Sequence, residues 1–147
     1  MCLSFYYLNY NHSNLYSTFF CFRFDLSDSF FLGINAAYFS GDEEDGIGNF
    51  AGVALYPQLA TSDNFTIGLR GEYFALHSDA PNAVEPSVFA TTLTGSYTVE
   101  NLIIKPEIRL DALTNQDDGQ FYGNFVDSDG VGTDSLAAFT LAAIYTF

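Results

Sequence analysis

Apolar and polar side chains alternate with a period of two along most of this chain, most cleanly at residues 135–147. There Phe139, Leu141, Ala143, Tyr145 and Phe147 share one face, opposite Ala138, Thr140, Ala142, Ile144 and Thr146. That period is the geometry of a β-strand whose two faces meet different surroundings. The same criterion predicts strands over 16–25, 29–39, 49–60, 65–74, 87–99 and 102–111, with an eighth over 3–10. No segment carries a helical period.

The predicted connections alternate in length. Residues 26–28, 61–64 and 100–101 are tight turns rich in Ser, Asp, Asn and Thr, residue types that hydrogen-bond their own backbone. Residues 40–48, 75–86 and 112–134 are longer polar loops. Short turns at one rim and long loops at the other define an up-and-down antiparallel β-barrel of the outer-membrane type, with the short turns periplasmic. Counting strands back from Phe147 gives the same assignment.

Charge placement sharpens the picture. Lys105, Glu107, Arg109 and Asp111 share one face of 102–111, opposite Leu102, Ile104, Pro106, Ile108 and Leu110. Arg70 and Glu72 oppose Phe65, Ile67, Leu69 and Tyr73; Arg23 and Asp25 oppose Phe20, Phe22 and Phe24. All four basic residues therefore lie on polar strand faces. A charge facing lipid at mid-depth costs about 2–4 kcal/mol, so these faces are expected to line a barrel interior. A soluble sandwich with its charges in water would give the same alternation. Loop asymmetry, aromatics near strand ends and the terminal strand favour the membrane barrel. Pro57 and Pro106 each remove a ladder donor in mid-strand and are expected to face outward, at a local bulge.

Composition narrows the function. Eighteen acidic against four basic residues give a net charge of −14, which leaves nothing to neutralise nucleic-acid phosphates. Sixteen Phe and ten Tyr argue against a disordered chain. At 147 residues the chain is expected to form one domain. Met1-Cys2-Leu3-Ser4 has no basic stretch and no small-residue cleavage site. Since an outer-membrane barrel is exported and Met1 opens almost directly into a strand, the chain is expected to be a C-terminal portion. Cys2 and Cys21 are too few for a disulfide framework, and Cys21 is expected to be a small inward residue.

The run NLIIKPEIRLD at 101–111 resembles the P-E-x-R-x-D strand of the β-barrel porins of the outer-membrane porin L-like group. GLRGEYF at 68–74 is similar to that family's L-R-x-E-Y-F strand, and LAAIYTF at 141–147 to its closing strand. The resemblance covers residues 51–147 and, more loosely, extends back to Leu15. It implies passive diffusion of small solutes across a bacterial outer membrane, no enzymatic activity and no cofactor. The implied surroundings are outer-membrane lipid and lipopolysaccharide, with the barrel-assembly machinery recognising Tyr145 and Phe147. Ala142 and Leu141 stand where a Gly and a polar residue usually precede those aromatics. Porins are often trimers, so a homo-oligomer stays open. Family members are longer, in keeping with a C-terminal portion.

The lumen-lining candidates are Arg23, Arg70, Glu72, Lys105, Glu107, Arg109 and Asp111. The strand at 87–99 points only Val88, Ala90, Thr92, Thr94, Ser96 and Thr98 to that face, so Arg70 and Glu72 are expected to reach Lys105, Glu107 and Arg109 across it. Either a ladder of paired charge or a solute-selecting wall follows. Eight strands alone enclose a barrel that side chains fill, so a channel needs further strands. The alternative is a small closed barrel displaying acidic loops. Clusters at Asp42-Glu43-Glu44-Asp45 and at Asp127, Asp129 and Asp134 suit divalent cations but read first as solvated loop charge. His77-Ser78-Asp79 and the remote His12 do not make a triad. Asn11-His12-Ser13 and Asn64-Phe65-Thr66 match glycosylation sequons, which have no role in a bacterial barrel.

Overall fold

A computed structural model describes residues 2–10, 13–41, 49–78, 85–114, 125–126 and 128–147. Ten strands form: β1 (Cys2–Tyr10), β2 (Ser13–Asp25), β3 (Phe30–Ser40), β4 (Asn49–Ser62), β5 (Phe65–His77), β6 (Ser87–Val99), β7 (Leu102–Thr114), β8 (Phe125–Val126), β9 (Gly132–Thr133) and β10 (Ser135–Tyr145). Eight of them make one sheet in the order β1-β2-β3-β4-β5-β6-β7-β10, each strand antiparallel to its neighbours. This is the up-and-down topology expected. Strands β1 and β10 are its two edges, and no pairing closes them among the described residues. Strands β8 and β9 form a small separate hairpin inside the loop predicted over 112–134.

The tight connections follow from local chemistry. Between β2 and β3, the Ser27 hydroxyl accepts the amides of Ser29 and Phe30, while the Phe30 carbonyl accepts those of Leu26 and Ser27. Asp63 and Asn64 join β4 to β5 without positive φ. A turn of that hand splays the strands unless a bulge restores their twist, and the register shifts between Ala60 and Ser62. The Thr61 hydroxyl there donates to the Phe65 carbonyl at 3.2 Å. Glu100 and Asn101 close β6 onto β7, with Val99 paired to Leu102 and Glu100 at a φ of 52°. That conformation favours glycine.

Several strands outrun the alternation that predicted them. Strand β5 continues to His77 and β7 to Thr114, where the Ser87 and Thr114 hydroxyls hydrogen-bond at 2.6 Å. Strand β2 begins at Ser13, whereas β10 stops at Tyr145, with Thr146 still donating to the Asn101 carbonyl. The expected bulges at Pro57 and Pro106 do not form. Register is the same on both sides of each proline, with Leu55–Gly71 and Gln58–Gly68 flanking one and Thr94–Glu107 and Tyr97–Ile104 the other. Each ring directs its missing N–H toward a single neighbour, because pairing with the opposite neighbour runs unbroken through Leu32–Pro57 and Leu141–Pro106. On that face Gly95 lies under Phe65 and Pro106, both 3.5 Å from where its Cβ would stand.

The apolar face has no cover. Leu93, Ile108, Leu110 and Leu141 are all roughly half or more exposed, and the buried apolar side chains among the described residues are only Ala54, Pro86 and Ala90. A soluble sandwich would bury this face in its core. An apolar surface of this breadth suits lipid. Of its aromatics, Tyr97 and Tyr145 sit near the short turns and Tyr16, Tyr38 and Phe89 near the long loops, while Phe139 stands in mid-strand.

Two stability measurements check this account. Glu100→Gly relieves the left-handed turn and should stabilise the folded protein by about 1 kcal/mol, read as a higher urea midpoint in lipid vesicles. Leu93→Arg puts a charge on the apolar face and should cost about 2–4 kcal/mol in the same assay. A neutral Leu93→Arg would mean that the face meets water.

Candidate functional site

The opposite face of the sheet carries the chemistry. Alternation places Arg23 on β2, Arg70 on β5, and Lys105 and Arg109 on β7. Asp25, Glu72, Glu107 and Asp111 lie on the same face. The strands therefore hold four cations and four carboxylates, and the other acidic residues among those described, Asp28, Asp63, Glu85, Glu100, Asp129 and Asp134, lie in the connections. The strand faces are balanced, so they contribute nothing to the net charge of −14.

Register brings the arginines to one level. Arg23 pairs with Gly33 and Gly33 with Tyr56; Arg70 pairs with Thr92, Thr92 with Arg109 and Arg109 with Ala138. Tyr56 and Arg70 complete the row, since they fall between the pairs Leu55–Gly71 and Gln58–Gly68. Three arginines thus occupy one row of side chains running across the sheet. Two positions toward the long loops, the matching row carries Glu72 and Asp111; two positions toward the short turns, it carries Asp25 and Glu107. Acid rows therefore flank a basic row on both sides.

Each arginine binds the carboxylate two residues along its own strand. Arg23 Nε donates to Asp25 at 3.0 Å, Arg109 Nε to both Asp111 oxygens at 2.9 Å, and Arg70 pairs with Glu72. The expected reach of Arg70 and Glu72 across β6 does not produce ion pairs among the described residues. The neighbour on the same strand face is nearer, and Thr92 and Thr94 occupy the ground between. Thr94 donates to Glu107 at 2.9 Å, and Lys105 has no carboxylate within 4 Å among the described residues.

Aromatic rings support two of the guanidinium groups. Arg23 lies 4.2 Å over the Phe31 ring and Arg70 lies 5.5 Å over that of Tyr56. The Tyr56 hydroxyl accepts a hydrogen bond from Asn35 at 3.2 Å, which fixes the ring. Gly33, directly opposite Tyr56, leaves room for it.

These side chains surround a cleft of about 260 Å³ lined by Arg70, Lys105, Glu107 and Arg109 with Tyr56, Gln58, Thr66, Thr92, Thr94 and Ser96. Glu72 and Asp111 stand outside that lining, and Glu72 faces a neighbouring apolar recess containing Phe19, Phe50 and Phe74. Arg23 is remote from the cleft and largely exposed. Tyr145 and Phe147 lie on the apolar side of the free β10 edge, strongly exposed. Sequence reasoning missed Tyr56 and Gln58. Their signal was the alternation of β4, which sends Pro57 to one face and its two neighbours to the other.

At the long-loop rim His77 pairs with Glu85. Asp79, His12, the 42–45 cluster and Asp127 lie outside the described residues. Among those described, no group of three or more His, Cys, Asp or Glu is placed to hold a metal.

An up-and-down antiparallel sheet with an uncovered apolar face and a charge-balanced polar face defines the outer-membrane barrel class. Residues 7–147 match the family described as "putative beta-barrel porin-2, OmpL-like", and the chain belongs to that family. No curated protein and no solved structure matches it. The family places the chain in an outer-membrane context and is typically non-enzymatic.

The unequal burial of the ion pairs gives a measurable difference. Asp111 is 11 % exposed and Asp25 69 % exposed. Asp111→Asn should destabilise the protein by about 1–3 kcal/mol, and Asp25→Asn by less than about 1 kcal/mol, in vesicle unfolding titrations.

Proposed function

We propose that this chain forms part of the wall of an outer-membrane channel through which small solutes diffuse passively, with Arg23, Arg70, Glu72, Lys105, Glu107, Arg109 and Asp111 facing the lumen. The observation that carries this reading is the confinement of every strand charge to one face, balanced four against four, behind an uncovered apolar face. Charge on that wall is tolerated because water reaches it, and lipid meets the opposite face.

An eight-stranded barrel has an interior that its own side chains fill, so passage of solutes calls for more strands than this sheet contains. We propose that the sheet is one arc of a wider barrel in the bacterial outer membrane, surrounded by lipid and lipopolysaccharide. Tyr145 and Phe147 are the residues offered to the assembly machinery. The second reading, a small closed barrel displaying acidic loops, draws support from the count of eight strands alone.

Liposome swelling separates the two readings. The complete barrel that carries this sheet, folded into vesicles, should admit a neutral pentose, with discrete conductance steps when it is inserted in a planar bilayer. Impermeable vesicles and a silent bilayer, with the sheet intact by circular dichroism, would rule out the channel.

A further inference from the structure

The donors around the cleft are only partly used. Arg109 spends its Nε on Asp111, and both of its terminal amino groups are without a hydrogen bond among the described residues. Arg70 meets Glu72 through Nη2, while its Nε and Glu72 Oε2 are both buried with no hydrogen-bond partner. Lys105 has no carboxylate neighbour within 4 Å among the described residues. Unsatisfied buried polar groups are costly, so the buried Arg70–Glu72 pair is incompletely satisfied, and the donors left for an acceptor in the cleft are the Arg109 terminal amino groups and the Lys105 ammonium.

The lining favours one sign of charge. It contains three cations and a single carboxylate, and that carboxylate already accepts from Thr94. Glu72 and Asp111 hold the two arginines from beyond the cleft, so they orient the guanidinium groups without closing them to a ligand. A guanidinium offers a planar fork that matches carboxylate and phosphate oxygens. The hydroxyls of Thr66, Thr92 and Ser96 and the Gln58 amide supply further donors around it. Loop carboxylates give the chain its −14 charge, but at physiological salt their field is screened over about 8 Å. Local groups therefore decide which ion is held here.

We propose that this cleft is a binding site for small organic anions bearing a carboxylate or phosphate head, held by Arg70, Lys105 and Arg109. The site deepens the channel reading and rests on it for its place along a solute path. It makes a chain of strongly acidic composition select anions over neutral solutes of the same size.

The test uses the complete barrel that carries this sheet, in vesicles, and compares matched solutes, gluconate with sorbitol and glycerol 3-phosphate with glycerol. The wild type should admit each anion faster than its neutral partner at equal concentration. In the triple variant R70Q/K105Q/R109Q that preference should fall about tenfold, as expected for losing contacts worth at least 1.4 kcal/mol. The variant R70K/R109K, which keeps the charge but not the fork, should keep a preference between those of the wild type and the triple variant, and controls for folding. A preference for one anion alone identifies the head group recognised. Equal entry of anion and neutral solute, or a preference unchanged by the triple variant, overturns the anion site and leaves the channel standing. Entry of no solute overturns the channel reading. Calorimetry on the detergent-folded protein then decides the site: gluconate or glycerol 3-phosphate heat that is lost in the triple variant upholds it, and no heat with the wild type overturns it.

Discussion

Strand register is the constraint on which the rest of this structure depends. Side chains on neighbouring strands share a face only while the ladder holds, and a slip of one residue would turn every charge of a strand to the apolar side. The ladder carries Arg23, Arg70 and Arg109 into one row across strands β2 to β7. The turns and their hydrogen bonds are therefore part of the polar face. The Thr61 bulge sets the pairing of β4 with β5, and the Glu100-Asn101 turn sets that of β6 with β7.

Balanced charge on the strands follows from the same constraint. A cation held between two sheet neighbours is stable when a carboxylate lies one side chain away on the same face, and each arginine has one two residues along its strand. Strands spanning a membrane can bear such charge on a wetted face, and excess charge is left to the connections. Among the described residues Asp28, Asp63, Glu85, Glu100, Asp129 and Asp134 all keep that division.

Much of this was legible in the sequence, because alternation depends on residue type alone. Seven clear strands, their faces, the short and long connections and the placement of all four basic residues came from period two. What alternation cannot give is the distance between side chains on different strands. The expected ion ladder from Arg70 and Glu72 to β7 gave way to pairs within a strand, because Glu72 and Asp111 stand nearer to their arginines than anything across β6. A missing donor in mid-strand suggests a broken ladder, but the intact pairing on the other side of Pro57 and Pro106 holds the register without a bulge. Tyr56 and Gln58 went unnoticed because neutral residues give no charge signal, although their parity was plain. The arginine row becomes visible only once every turn length is known.

The account stands or falls on which medium each face of the sheet meets. Nitroxide labels at Ile67 and Thr66, adjacent residues of β5 on opposite faces, measure this directly in vesicles. Collision with oxygen should dominate at 67 and collision with a water-soluble nickel complex at 66. Equal nickel accessibility at both positions would mean that the apolar face meets water, and would contradict the membrane-spanning sheet.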